Sequence, residues 1–226
     1  MIVVENSIEL KRISNQRIKE QGPNCDLNDL DVSRVKDMSW MFFCSPFDGD
    51  ISKWNVSKVE NMLRMFSLSS FNGDISKWDT SNVKTMNFMF NSSQFNGDIS
   101  EWNVGRVEDM GFMFTESKFD GDLSKWNVSR VENMAGMFAE SKFTGDISNW
   151  NVSRVNRMNL MFARSQFNGD ISKWDTSNVV NMSCMFFDSQ FTGDLSKWNV
   201  SNVRNMAGMF QLSPLSGKEP DWYTNR

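Results

Sequence analysis

The sequence contains no histidine. That absence removes the commonest general base, proton shuttle and metal ligand, so Ser-His-Asp, Cys-His and histidine-zinc chemistries are excluded together. Only chemistry by carboxylates alone stays open. Cysteine is scarce: Cys25, Cys44 and Cys184 are odd in number and lack C-x-x-C spacing. This fits a reducing compartment and argues against a disulfide framework or a cysteine metal site. No apolar run approaches the ~18 residues expected of a membrane-crossing helix. The opening residues, Met1 to Arg12, set no basic stretch before an apolar one and do not read as a secretory signal. Excess positive charge is missing too, since 24 basic residues face 28 acidic ones for a net charge of -4. Attraction to phosphate is therefore expected to be weak, and no nucleic-acid partner is expected.

What the chain does have is periodic. Trp54, Trp78, Trp102, Trp126, Trp150, Trp174, Trp198 and Trp222 are spaced by 24 residues, as are the glycines from Gly49 to Gly217. Two methionine columns, Met38 to Met206 and Met41 to Met209, hold every methionine except Met1. A fixed period of this length is the mark of a repeat array or solenoid. Stacking would put residues 24 apart directly above one another. The expected organisation is an N-terminal cap over residues 1–26, about eight coils over 27–214, and a C-terminal cap over 215–226, because end coils otherwise expose core and strand edges.

Within the unit, Trp78 and Thr80 alternate with Lys77, Asp79 and Ser81, the pattern of a short strand with one face inward. Val83, Met86, Met89 and Phe90 then follow helical spacing, with Ser81 as N-cap and a capping box in Ser57/Glu60 and Ser129/Glu132. The expected fold class is an α/β repeat solenoid in which each coil is a short parallel strand plus a short helix. The repeating glycine is expected to supply positive φ for the return turn. The aspartate after it, Asp50 to Asp194, is expected to accept backbone N–H bonds in that turn. A calcium site is not expected there, one carboxylate per coil being too few.

The string Met-Phe-x-x-Ser-x-Phe-Asn-Gly-Asp-Ile-Ser-x-Trp-Asn-Val-Ser-x-Val-x-x-Met closely resembles the repeat of BspA-like surface proteins in its mycoplasma-lipoprotein variety, over about residues 27 to 214. The resemblance implies a leucine-rich-repeat-like solenoid and, in many members, display on a cell surface with adhesion or partner binding as the inferred role. This chain departs from that pattern in its lack of an export signal, of a lipidation cysteine near the start and of a wall-anchoring tail. A cytoplasmic or particle-associated location is therefore expected over the cell surface.

Two candidate binding surfaces follow from the columns. The outward strand positions give one face, with Lys53, Lys77, Glu101, Lys125, Asn149, Lys173 and Lys197 beside Asn55, Asp79, Asn103, Asn127, Asn151, Asp175 and Asn199. Either this face binds a ligand, or the Asn/Asp column forms a hydrogen-bond ladder and the lysines solubilise it. The second surface is a more variable column, Trp40, Arg64, Phe88, Phe112, Gly136, Leu160, Cys184 and Gly208. Its large members, Trp40, Phe88, Phe112 and Leu160, either form an exposed apolar patch or are half-buried. The expected function is a non-catalytic binding or scaffold protein that presents a rigid surface to a protein partner or larger assembly, with a glycan as another possible ligand. A cell-surface adhesin is the alternative. A polysaccharide hydrolase is less favoured, because it needs two acids about 5–9.5 Å apart in a cleft and no unit carries an insertion to build one. No cofactor, metal or membrane insertion is expected.

Overall fold

The computed structural model describes residues 1–224. It contains strand β1 (Ile2–Val3), helix α1 (Ser7–Gln21), strand β2 (Leu30–Asp31) and a short helix α2 (Asp221–Thr224). Residues 24 apart are neighbours throughout. Trp78 stacks on Trp54 and Trp102 with ring centroids 6.4 and 6.5 Å apart and planes within 5° of parallel. Two phenylalanine columns run alongside: Phe90 lies 5.6 Å from Phe66 and 5.7 Å from Phe114, and Phe95 lies 6.2 Å from Phe71. With both methionine columns they form one buried cluster from Val4 to Phe210. Each tryptophan of the column also donates its indole N–H to a carbonyl of the preceding unit, as Trp102 Nε1 does to Ile75 O at 3.0 Å. Its large apolar ring is thereby buried without leaving an unmet donor.

Regular elements are not where the alternation and helical spacing place them. Between Val32 and Pro220 the described residues form turns and single-residue parallel bridges, with neither the short strand at the tryptophan nor the short helix at the methionines. The linkage between units runs instead through the methionine segment. Met86, Phe88, Phe90 and Ser92 donate their backbone N–H to Asp109, Gly111, Met113 and Thr115 of the next unit at 2.8–2.9 Å. The intervening N–H groups of Met89, Asn91 and Ser93 close turns inside the unit, onto Met86, Phe88 and Phe90. A helix would direct every N–H along its own axis and leave none for the neighbouring unit. A chain of turns spends only alternate donors internally, and the other half joins the units.

At the tryptophan segment two tight turns, Ile75–Trp78 and Thr80–Val83, leave too little extended chain to pair as a strand. Cross-links there come from side chains: the indole N–H, Thr80 Oγ1 to Asn103 O at 3.0 Å, and Asn82 Nδ2 to Ser57 O at 2.7 Å. Ser57, read as a helix N-cap, sits in a turn closed by Asn55.

The column glycines have a different reason from the one expected. From Gly49 to Gly193 none has positive φ and they are required for space, whereas Gly217 has the expected positive φ, at 78°, with open space around it. A Cβ on Gly73 would lie 2.8 Å from its own unit's Phe71 ring and 3.2 Å from Gly49 O. Left-handed backbone falls on larger residues, such as Phe88 at φ 56° and Ser92 at 51°. Each is the third residue of its turn, the place where a type II turn demands positive φ.

Residues 1–26 carry a helix that strand and repeat patterns do not announce. Asn6 accepts from Glu9 N at 3.0 Å and Glu9 accepts from Glu5 N at 2.9 Å, a reciprocal cap. Gly22 at φ 92° ends the helix. Leu10 and Val4 are buried in the common core, β1 pairs in parallel with β2, and Arg17 binds Asp29 at 2.7 Å. At the other end Trp222 keeps its column bond, Nε1 to Leu195 O at 2.8 Å, while Tyr223 sits edge-on to Phe210 at 5.0 Å. Among the described residues no helix is long and apolar enough to cross a membrane. Cys25 is buried, Cys44 exposed and Cys184 half-buried, and all three are free.

Candidate functional site

The variable column is set by backbone conformation before any side chain is considered. Trp40, Arg64, Phe88, Phe112, Leu160 and Cys184 have left-handed φ values of 59°, 54°, 56°, 57°, 61° and 55°. Gly136 and Gly208 share the conformation at 60° and 66°. The turn aims these side chains away from the methionine core, so the column is neither wholly exposed nor wholly buried. Trp40 is 38% exposed, and Phe88, Phe112 and Leu160 are half-buried. The Arg64 guanidinium lies between two rings, 4.9 Å from Trp40 and 4.0 Å from Phe88. Phe88 in turn stacks on Phe112 at 4.7 Å. The result is a continuous stripe of ring, cation, ring and ring on the outside of four successive units.

The stripe breaks at Gly136. Phe112 leans over that position, where a Cβ would lie 2.3 Å from its ring. Beyond it opens a cleft of about 330 Å3, lined by Phe112, Thr115, Ala139, Glu140, Leu160, Ala163, Arg164, Cys184 and Phe187. Of these, Thr115, Ala139, Glu140, Ala163, Arg164 and Phe187 are not among the sequence candidates. The signal for Thr115, Ala139, Ala163 and Phe187 is the column three places on, Phe43, Ser67, Asn91, Thr115, Ala139, Ala163, Phe187 and Gln211, in which Ala139 shares its unit with Gly136 and Ala163 shares its unit with Leu160; Glu140 and Arg164 lie in the column one place further. On the rim, Arg164 reaches Glu140 at 3.2 Å and Asp188 at 3.6 Å.

The second candidate surface is organised differently. Lys53, Lys77, Glu101, Lys125, Asn149, Lys173 and Lys197 are all exposed, and so are Asn55, Asp79, Asn103, Asn127, Asn151, Asp175 and Asn199. The Asn/Asp side chains do not form a ladder between units. Each closes a turn in its own unit, accepting the backbone N–H two residues on, as Asp79 does from Ser81 and Asp175 from Ser177 at 3.0 Å. A side-chain ladder does exist, seven positions earlier in the unit: Asn72, Asn96, Asp120 and Thr144 each donate N–H to the side-chain oxygen 24 residues earlier, at 2.7–2.9 Å. Among the lysines of this face Lys125 pairs with Glu101 at 2.6 Å, an exposed contact that solvent screens.

The aspartates after the column glycine do accept in the turn. Asp74, Asp98, Asp122, Asp146, Asp170 and Asp194 each take the backbone N–H of the serine two residues on, at 2.8–2.9 Å. That bond, with the serine hydroxyl second, holds all six carboxyls below the usual aspartate range. A lowered folded-state pKa contributes stability that is fully present above the unfolded value of about 3.9 and is lost as pH falls through the folded values. Urea midpoints are therefore expected to stay level from neutral pH to about 5 and to drop steeply below about 4. Replacing Asp98, Asp122 and Asp146 together by Asn keeps an acceptor but removes the titrating charge. The triple variant should lose less between pH 7 and pH 3 than the parent, and an equal loss would refute this assignment.

These columns run through nearly the whole chain, and so does the relationship to known proteins. The chain matches no curated protein and no solved structure. The profile of one family matches it twice in tandem, over residues 11–119 and 115–222, together covering the repeats and most of helix α1. The chain therefore belongs to the family described as Mycoplasma protein of unknown function, DUF285.

Proposed function

We propose that this protein is a non-catalytic binding or scaffold protein of the BspA-like, leucine-rich-repeat-related kind. Its units wind as a solenoid over residues 27–214, the segments 1–26 and 215–224 close the ends, and a protein partner is held on the column from Trp40 to Leu160. The observation that carries this reading is the pairing of large side chains with left-handed backbone. A residue other than glycine in that conformation costs roughly 1–2 kcal/mol, and Gly136 and Gly208 occupy the same column without that cost. Trp40, Arg64, Phe88, Phe112 and Leu160 nonetheless carry their bulk there, partly open to solvent. Aromatic and arginine side chains in a rigid, half-desolvated row are the composition of protein-binding hot spots. The Lys/Asn face supports binding less well, because its Asn and Asp side chains are already engaged in turns.

Photo-cross-linking in the cells that make the protein separates the two faces. A benzophenone side chain at Glu116, exposed beside the stripe, is expected to capture a protein, and the adduct should vanish when Trp40→Gly and Phe88→Gly are combined. Glycine suits the left-handed backbone, so this variant keeps the turn geometry. The same probe at Lys125 is expected to capture nothing. Adducts from Lys125 alone would move the partner to the other face, and none from either site would end the binding reading.

A further inference from the structure

We propose that the cleft beyond Gly136 is a socket for one aromatic side chain of a partner polypeptide, carried next to a basic residue. This rests on the partner-binding role proposed above and adds to it the identity of the recognised group. At about 330 Å3 the cleft stands at the small end of ligand pockets, which favours a single ring-sized group over a drug-sized molecule. Its walls are mostly apolar, with the Phe112 and Phe187 rings, the Leu160 side chain and the methyl groups of Ala139 and Ala163 beside the charged Glu140 and Arg164. Phe112, stacked on Phe88, continues a row of flat groups that the chain itself interrupts at Gly136. An incoming ring extends that row by offset or edge contact.

The charge beside the cleft selects the ring's neighbour. The rim column reads Glu116, Glu140, Arg164 and Asp188, three carboxylates and one cation. Arg164 is shared between Glu140 and Asp188 and lies 5.6 Å from the Phe187 ring centre, and Glu116 accepts the Ser92 hydroxyl at 3.1 Å. A cation from the partner therefore meets net negative charge, and an anion is repelled. The stripe holds an internal precedent, since the Arg64 guanidinium already lies against Trp40 and Phe88. Alanine is used four times in the chain, as Ala135, Ala139, Ala163 and Ala207. The methyls of Ala139 and Ala163 face the cleft, while Ala207 belongs to a unit outside it.

That scarcity makes the test direct, because selective carbon-13 labelling of alanine methyls yields four resonances. The capped peptide Lys-Trp-Lys is expected to shift Ala139 and Ala163 by ring currents and to leave Ala207 in place. Lys-Ala-Lys and Glu-Trp-Glu should bind at least about tenfold more weakly. Ala139→Leu, which fills the socket, should abolish the shift at Ala163. Glu140→Lys, an exposed substitution that leaves the core intact, should weaken Lys-Trp-Lys and strengthen Glu-Trp-Glu. Still methyls with Lys-Trp-Lys, equal shifts with Lys-Ala-Lys, or undiminished binding by Ala139→Leu would each overturn the socket. So would concentration-dependent shifts of the free protein, which would assign the cleft to a second copy. A cross-link at Glu116 that persists while the peptide fails would remove the socket alone and leave the stripe as the binding surface.

Discussion

Phe114→Ala is expected to lower the unfolding free energy by about 3–5 kcal/mol. The ring is fully buried and touches four others: Phe90 at 5.7 Å, Phe119 at 4.5 Å, Trp126 at 6.4 Å and Phe138 at 5.8 Å. Two of these belong to the adjacent units, so truncation opens a void shared by three layers that a small local collapse does not fill. Against a total stability of about 5–15 kcal/mol for a folded domain, a loss of this size is severe. Phe210→Ala supplies the contrast. It removes the same ring type from the last full unit, where Phe186 at 5.9 Å is the one column neighbour and the rest of the cover is Trp222 and Tyr223. Its cost should be smaller, since terminal packing against a short segment relaxes more easily than packing between two repeating layers. Urea unfolding followed by tryptophan fluorescence measures both. Equal costs at 114 and 210 would show that the middle layers are no more tightly coupled than the end.

Removing one whole period should be tolerated and removing half of one should not. Deleting residues 103–126 joins Trp102 to Asn127 and keeps every column in phase, because each lost side chain has a copy 24 residues away. The shortened protein should unfold in one cooperative transition, with a urea dependence reduced by about a tenth, in proportion to the chain removed. Deleting residues 103–114 takes away Met110, Met113 and Phe114 together with the carbonyls that receive the N–H groups of Met86, Phe88 and Phe90. That ladder cannot form, and buried donors would be left unmet at a cost of about 1–3 kcal/mol each. Loss of the near-ultraviolet circular dichroism of the ordered tryptophans is the expected result. A native spectrum from the half-period deletion would mean that the units are not mutually dependent layers.

Helix α1 shows a signal present in the sequence but masked by the repeat. Asn6 with Glu9 is a capping pair, and Gly22-Pro23 is a stop. The 24-residue pattern draws attention to residues that recur, and α1 occurs once. The cleft shows the opposite case. Gly136, Ala139 and Ala163 matter because two columns run side by side: both narrow in the unit of Gly136 and Ala139, and the second stays narrow at Ala163 in the next.

The order of residues was enough to establish a repeat of 24, the tryptophan, glycine and methionine columns, and the role of the aspartate after each column glycine. These depend on which side chains recur at which interval, and a linear chain records that directly. It was not enough to choose between a helix and a chain of turns for Val83 to Phe90. Apolar residues at i, i+3 and i+6 satisfy either one, and the choice rests on where alternate N–H groups find acceptors. Those acceptors belong to the next unit, 23 residues further along, so the conformation of each unit is settled by its neighbour. The same cause put left-handed backbone on Trp40, Phe88 and Phe112, made space rather than φ the reason for the column glycines, and brought Phe112, Ala139, Ala163 and Phe187 around one cleft.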